Sequence, residues 1–264
     1  MVRIIKAREI MNDIIGAEFT ATHPDTVDTL KFGDGEKEVK KIATCLCATP
    51  HIIEECAKWG ADLVIVHEPL YYNHTDEFTE TPLTLKKRAA LEKLGAAVYR
   101  WHDSAHFRSS DKISLSFMEK TGLYGDFDGD MRLKLAECDA VSARSLARLC
   151  AEKLCVRHPR IVGDADFAAT DILLALGMRG DRCFKDFLED DSLQIAVCGE
   201  LCEWSDCEPV REAAQFGINK AIVILGHAGS EKFAMDTLAR EINGKYGGAP
   251  AKYFDCGEVY TYAD

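Results

Sequence analysis

The chain has 264 residues, enough for one large or two modest domains with buried cores. Its 47% hydrophobic and 29% charged residues are ordinary for a globular protein, and no run approaches the ~20 apolar residues of a membrane span. A formal net charge of -12 argues against a nucleic-acid or anionic-membrane partner, since both need a basic surface, but leaves room for a local basic pocket around a small phosphorylated molecule.

Apolar runs of strand length alternate with helical patterns, which predicts an α/β fold with largely parallel sheets flanked by helices. Residues 7–19 have helical periodicity, 41–47 read as a strand, and 50–59 as a helix opening on Pro50. Residues 61–66 form the second strand, 82–94 a charged amphipathic helix, and 96–101 a third strand. The Gly- and Asp-rich stretch 121–139 predicts a turn or domain boundary. Helix 142–154 follows, with Ser142 as its N-cap. Strands recur at 171–176, 193–198 and 220–225; a helix covers 227–243, and a short strand, 252–256, closes the series. The expected division is a lobe of residues 1–125 with 222–264, and a second lobe of 126–221.

The eleven cysteines are scattered, with no CxxC pair, and are expected as reduced thiols; Cys198, Cys202 and Cys207 lack zinc-type spacing. The opening residues 1–6 do not pattern as a signal peptide, so the expected location is cytoplasmic.

The chemistry-bearing pattern lies at strand ends. His67, His102 and His227 each follow an apolar strand, and parallel neighbouring strands bring their C-terminal ends together, where α/β proteins bind ligands. Potential ligands recur four residues on, His106 after His102 and Glu231 after His227; Glu68 adjoins His67. On a helix such i,i+4 pairs share a face; for His102 and His106 this requires a helical turn. Imidazole and carboxylate together suit zinc, iron, manganese, nickel or cobalt rather than calcium. His67, Glu68, His106, His227 and Glu231 are too many donors for one tetrahedral ion and fit two divalent ions sharing a water. Residual positive charge there would attract a small anionic molecule. His102 is then the acid/base candidate beside the metal, with Glu68 or Glu231 able to orient or deprotonate the water.

Other patterns are weaker. Asp126, Asp128, Asp130 and Glu137 have calcium-loop spacing, but Met131 stands where glycine is required. Gly177 and Gly180 follow a strand and could approach a phosphate. No P-loop, dinucleotide fingerprint or nucleophile elbow occurs. His23, His51, His74 and His158 sit in polar or loop contexts and are expected on the surface.

Three segments carry a family resemblance. Residues 61–70, ending in His67-Glu68-Pro69-Leu70, resemble the strand ending in His-His-Pro of the Nif-three-like dinuclear metal-centre family, some of whose members are named type 2 GTP cyclohydrolase I. Residues 98–106 resemble its Tyr-x-x-His-Thr-x-x-Asp stretch, and residues 225–231 its Gly-His-x-x-x-Glu turn. Glu68 stands where the family has its second histidine and His106 where it has an aspartate, so three imidazoles and two carboxylates remain. Trp204, Asp103 and Cys47 also replace the usual histidine, threonine and aspartate. The resemblance implies a Nif-three-like fold of two α/β lobes, a dinuclear metal-dependent hydrolase with a phosphorylated or nucleotide-like substrate, and a ring-shaped homo-oligomer, commonly a hexamer. The competing expectations are a non-catalytic metal-handling or regulatory protein of the same fold, and a structural protein with a decayed site.

Overall fold

A computed structural model describes residues 5–107, 111–129 and 131–263, the side chain of Asp181 apart. It divides into two compact units, Met1–Phe107 with Ala234–Cys256, and Arg108–Phe233 with Gly257–Asp264.

In unit 1, α1 (Ala7–Ile15) and α2 (Ala17–Thr22) replace the single helix expected over 7–19, because Gly16 at φ 87° breaks the run. Strands β1 (Leu30–Phe32), β2 (Ile42–Cys45), β3 (Leu63–Val66) and β4 (Ala97–Arg100) are joined through α3 (Pro50–Trp59) and α4 (Pro82–Leu94). Both helices begin where a threonine caps and a proline enters the first turn, and both stop at a left-handed glycine: Thr49 and Gly60 for α3, Thr81 and Gly95 for α4. Strand β13 (Ala251–Tyr253) returns after α10 (Phe233–Lys245) to pair in parallel with β2. The sheet order is β1-β4-β3-β2-β13, parallel except for β1. Every residue of β2, β3 and β4 is buried, as expected of a parallel sheet covered on both faces. Val64, Val66 and Val98 pack with Ile52, Ile53 and Leu91 of α3 and α4.

In unit 2, the order is α5 (Lys112–Thr121), β5 (Asp126–Phe127), β6 (Arg132–Lys134), β7 (Val141–Ser142), α6 (Ala143–Leu154), β8 (Arg160–Gly163), β9 (Ala168–Ala169) and β10 (Asp171–Ala175). Then come α7 (Asp181–Glu189), β11 (Ile195–Cys198), α8 (Glu208–Gln215), β12 (Ala221–Ile224) and α9 (His227–Glu231). The sheet runs β5-β6-β10-β11-β12-β8, with β10, β11 and β12 parallel and the flanking strands antiparallel. Ser142 caps α6 as expected, its hydroxyl accepting from the Ser145 N–H at 3.2 Å.

The unit boundaries differ from the expected 1–125 with 222–264. Strand β12 pairs along its whole length with β11 and β8, so it and the following α9 stay in the second unit. Helix α5 packs with α6 and joins them. The helix expected over 227–243 is also two helices, α9 and α10. The Asp-rich stretch is no calcium loop: Asp126 lies in β5, and Asp128 accepts the Arg132 N–H at 3.1 Å within the β5–β6 hairpin, while Asp130 lies outside the described residues. None of the eleven cysteines is in a disulfide, and no described helix is long and apolar enough to cross a membrane.

Candidate metal centre

Strand β3 delivers His67 fully buried. The Leu46 carbonyl accepts the N–H groups of His67 and Glu68 at 3.1 and 2.9 Å, fixing the turn after the strand. Arg100, also buried, donates Nε–H to the His67 carbonyl at 2.9 Å. The His67 Nδ1 lies 2.9 Å from the Trp101 carbonyl oxygen. A carbonyl only accepts, so Nδ1 carries the hydrogen and Nε2 is the lone-pair nitrogen of the neutral ring.

Beyond β4 the chain makes the helical turn that the His102/His106 pair required, with the His106 N–H 3.3 Å from the His102 carbonyl and a 3-10 turn over Ser104–His106. Ring centroids are 4.7 Å apart for His67 and His102, 5.2 Å for His67 and His106, and 5.1 Å for His102 and His106. The candidate ligand nitrogens of these three rings all lie within 4.8 Å of one another. His102 Nδ1 sits 2.9 Å from the Asp103 carboxylate, which leaves Nε2 as its lone-pair nitrogen. Burial pulls the His102 pKa below the ordinary imidazole value, outweighing the hydrogen bond it donates to Asp103. For Asp103 burial opposes the charge, yet hydrogen bonds from His102, the Val27 N–H and the Thr26 hydroxyl hold its carboxyl well below the usual range.

The second group belongs to unit 2. Gly226, at φ 80°, turns the chain from β12 into α9, whose i,i+4 geometry sets His227 Nε2 3.1 Å from Glu231 Oε2. His227 Nδ1 lies 2.8 Å from Oε1 of Glu200, which follows β11. The Ser230 hydroxyl donates to the His227 carbonyl at 2.9 Å and accepts the Gly177 N–H at 2.9 Å. Gly177 has φ +69°, and a Cβ there would stand 2.1 Å from Glu231 Oε1. The glycine expected to approach a phosphate therefore makes room for the Glu231 carboxylate.

Glu68 is part-exposed, and its charge acts on His102 and on Cys47. Cys47 shares a thiol hydrogen bond with Cys256, which pushes its pKa up together with burial. Cys198 and Cys207 pack in the apolar core of unit 2, where burial raises both thiols, so they are structural. Trp204 is 79% exposed. Of the histidines expected on the surface without partners, His74 is exposed but has its ring 5.6 Å from that of His102, His23 stacks on Phe19 at 4.3 Å, and His158 packs on Tyr262 at 4.4 Å.

The strand-end pattern did not reveal Asp28, Asp103 or Glu200 as partners of the site. Glu200 was within reach of the same argument, since it follows a parallel strand adjacent to β12. Asp28 and the 102–104 turn are brought together only by the tertiary fold.

The donor chemistry fits divalent transition metals: imidazoles with lone pairs set by an oxygen on the opposite nitrogen, and carboxylates beside them. Residues 26–251 match the family model for Duf34/NIF3 (NGG1p interacting factor 3). The chain belongs to this family. A GTP cyclohydrolase 1 type 2 homolog of Buchnera aphidicola is 20% identical over 224 residues, covering 81% of this chain and 83% of that protein. A protein of the same name from Clostridium perfringens is 33% identical over 73 residues, only 28% of either chain. Among solved structures, protein ybgI, of unknown function, is 18% identical with a TM-score of 0.77, covering 97% of this chain and all of that one (100%). Reduced HcgD from Methanocaldococcus jannaschii is 17% identical with a TM-score of 0.72, covering 96% and 99%. At these identities the structures support the fold alone: two α/β units with mixed sheets.

Proposed function

We propose that this chain is a metal-dependent hydrolase with a two-ion centre acting on a small phosphorylated or nucleotide-like substrate. The observation that carries the reading is the cluster of three imidazoles on unit 1, two of them with Nδ1–H turned to an oxygen acceptor and Nε2 left as the lone-pair nitrogen. By the strand-end pattern and the family resemblance, His67, Glu68, His106, His227 and Glu231 would be the donors. When bound, the ions would supply Lewis-acid charge and a water acidified toward neutrality. Glu231, an acceptor held at a fixed place by Gly177 and α9, would orient that water and take its proton. Net positive charge at the centre would hold an anionic substrate against an otherwise acidic surface. The names of the two relatives favour a nucleotide-like substrate within this class. By resemblance, the protein would assemble as a homo-oligomeric ring.

The test uses full-length protein stripped of metal and reloaded separately with Mn, Fe, Zn and Co. Hydrolysis of nucleotides or phosphoesters is expected with at least one metal and lost in Glu231→Ala. Tight stoichiometric binding with no turnover on any substrate class would instead support a metal-handling protein. Parent-level metal content in both His67→Ala and His227→Ala, by elemental analysis, would end the metal reading.

A further inference from the structure

His102 has the position expected of an acid/base residue but the surroundings of a ligand. Its Nδ1 is held by Asp103 Oδ1 at 2.9 Å. The other oxygen of Asp103, Oδ2, accepts the Thr26 hydroxyl at 2.9 Å and the Val27 N–H at 3.0 Å, so the carboxylate cannot swing away without breaking two more bonds. The opposing contact is as well determined. Asp28, 4% exposed, accepts the N–H groups of His102, Asp103 and Ser104 at 2.6, 2.9 and 2.8 Å, and the Ser104 hydroxyl as well.

The loop at 26–28 and the turn at 102–104 therefore clamp each other through two carboxylates, one from each side. Such bonds between an ionised oxygen and N–H or O–H donors are roughly twice as strong as neutral ones. A carboxylate on Nδ1 fixes the tautomer and orientation of an imidazole, a support shared by general bases and by metal ligands. An imidazole that binds metal needs its far nitrogen fixed, usually by a carboxylate or a carbonyl. His102 has this support, and His67 has it with a carbonyl in place of the carboxylate; what sets His102 apart as a ligand is that it shares its cluster with His67 and His106. The candidate ligand nitrogens of His67, His102 and His106 lie within 4.8 Å of one another, all on unit 1.

We propose that His102 is a metal-binding imidazole, forming with His67 and His106 a three-histidine face on unit 1, and that Asp103 and Asp28 are its positioning residues. This rests on the metal reading above but reassigns His102 within it. Three imidazoles with an open fourth position form a coordination set that catalytic zinc uses. The face would make unit 1 a self-contained site for one ion, with Glu68 beside it rather than required by it.

The experiment titrates metal-stripped, full-length protein with Zn²⁺ against a chelating indicator and with Co²⁺ by its visible absorption. For His102→Ala the expected result is loss of about two orders of magnitude in affinity for one ion, with a shifted Co²⁺ band. Asp103→Asn, nearly isosteric, should weaken the same ion by roughly 10–100-fold, the usual effect of removing a carboxylate behind a ligating histidine. Adding Asp103→Asn to His102→Ala should change nothing further, an outcome that general destabilisation by Asp103→Asn would not give. Asp28→Asn should lower affinity in the same direction, with His102 still present.

If His102→Ala keeps parent affinity and the parent Co²⁺ band while His67→Ala loses an ion, His102 is not a ligand and the proposal is overturned, with the two-ion reading left standing. If His67→Ala also binds as the parent does, both fail together. Should His102→Ala not fold, parent affinity and an unchanged band in Asp103→Asn would overturn the proposal.

Discussion

The two donor groups differ in what holds their imidazoles. On unit 1 the rings cluster, and their Nδ1 positions are set by a backbone carbonyl and by Asp103. On unit 2 a single ring, His227, faces a carboxylate from each of its nitrogens, Glu200 and Glu231. One group is mainly neutral nitrogen donors, the other one nitrogen among oxygens. Nitrogen-rich sets suit zinc, nickel and cobalt, whereas added carboxylate widens the range toward manganese and iron. The groups should therefore load unequally, and each can be disabled by a residue that is not itself a donor.

The largest effect is expected on unit 1. Arg100 is 1% exposed; it donates to the His67 carbonyl and, through Nη1, to the His74 carbonyl at 2.6 Å, and lies 3.8 Å from the buried Asp76 carboxylate. Arg100→Met would leave the Asp76 carboxylate with the Tyr71 N–H at 3.0 Å and, as its cation among the described residues, Lys31 at 3.9 Å, and would release the turn that carries His67. Breaking a buried pair on one side costs about 3–5 kcal/mol. Urea unfolding should show a loss of that size, with weakened metal binding on unit 1. A loss below about 1 kcal/mol would mean that Arg100 does not pin this turn.

A smaller, local effect is expected on unit 2. Gly177→Ala would place a Cβ 2.1 Å from Glu231 Oε1 at a left-handed φ of +69°. The backbone strain costs roughly 1–2 kcal/mol, and the Glu231 carboxylate must also leave its place. Elemental analysis should show the loss of about one ion per chain with the unit 1 site still loaded. Unchanged metal content would show that Glu231 does not need that position to bind.

Much of unit 1 was readable because its signals are local. Pro50 and Pro82 entering helices, Gly60 and Gly95 leaving them, and unbroken apolar strands placed α3, α4, β3 and β4 within a residue or two. The unit boundary was not readable, because it falls at the start of a continuous helix, between Phe233 and Ala234, and is set by which strands β12 and β13 choose as partners. Strand β8 escaped notice for a related reason: it is a short edge strand defined by antiparallel pairing to β12. The site divides in the same way. Strand-end histidines announce themselves by position, and the His102–His106 spacing needed only a turn. Asp28 and Asp103 look like ordinary loop aspartates until a contact across 75 residues joins them through the Asp103 N–H.

The smallest effect separates His102 from its neighbours by pH. Burial lowers its folded pKa, so the unfolded chain, with an imidazole near 6.5, takes up the proton first as pH falls. Between that value and the lower folded one the unfolded state holds more protons, and stability must drop as pH drops, by at most about 1.4 kcal/mol per pH unit. Above about 6.5 the contribution is complete, and below the folded value no more is lost. Asp103 acts with the same sign but in a separate window, beginning near 3.9 where an unfolded aspartate protonates. Metal-free parent protein, unfolded by urea from pH 7.5 to 3, should thus lose stability in two stages. His102→Gln should flatten the upper stage and Asp103→Asn the lower. Should His102→Gln leave the upper slope intact, the loss there comes from another group, and burial of the His102 ring is not what distinguishes the unit 1 cluster.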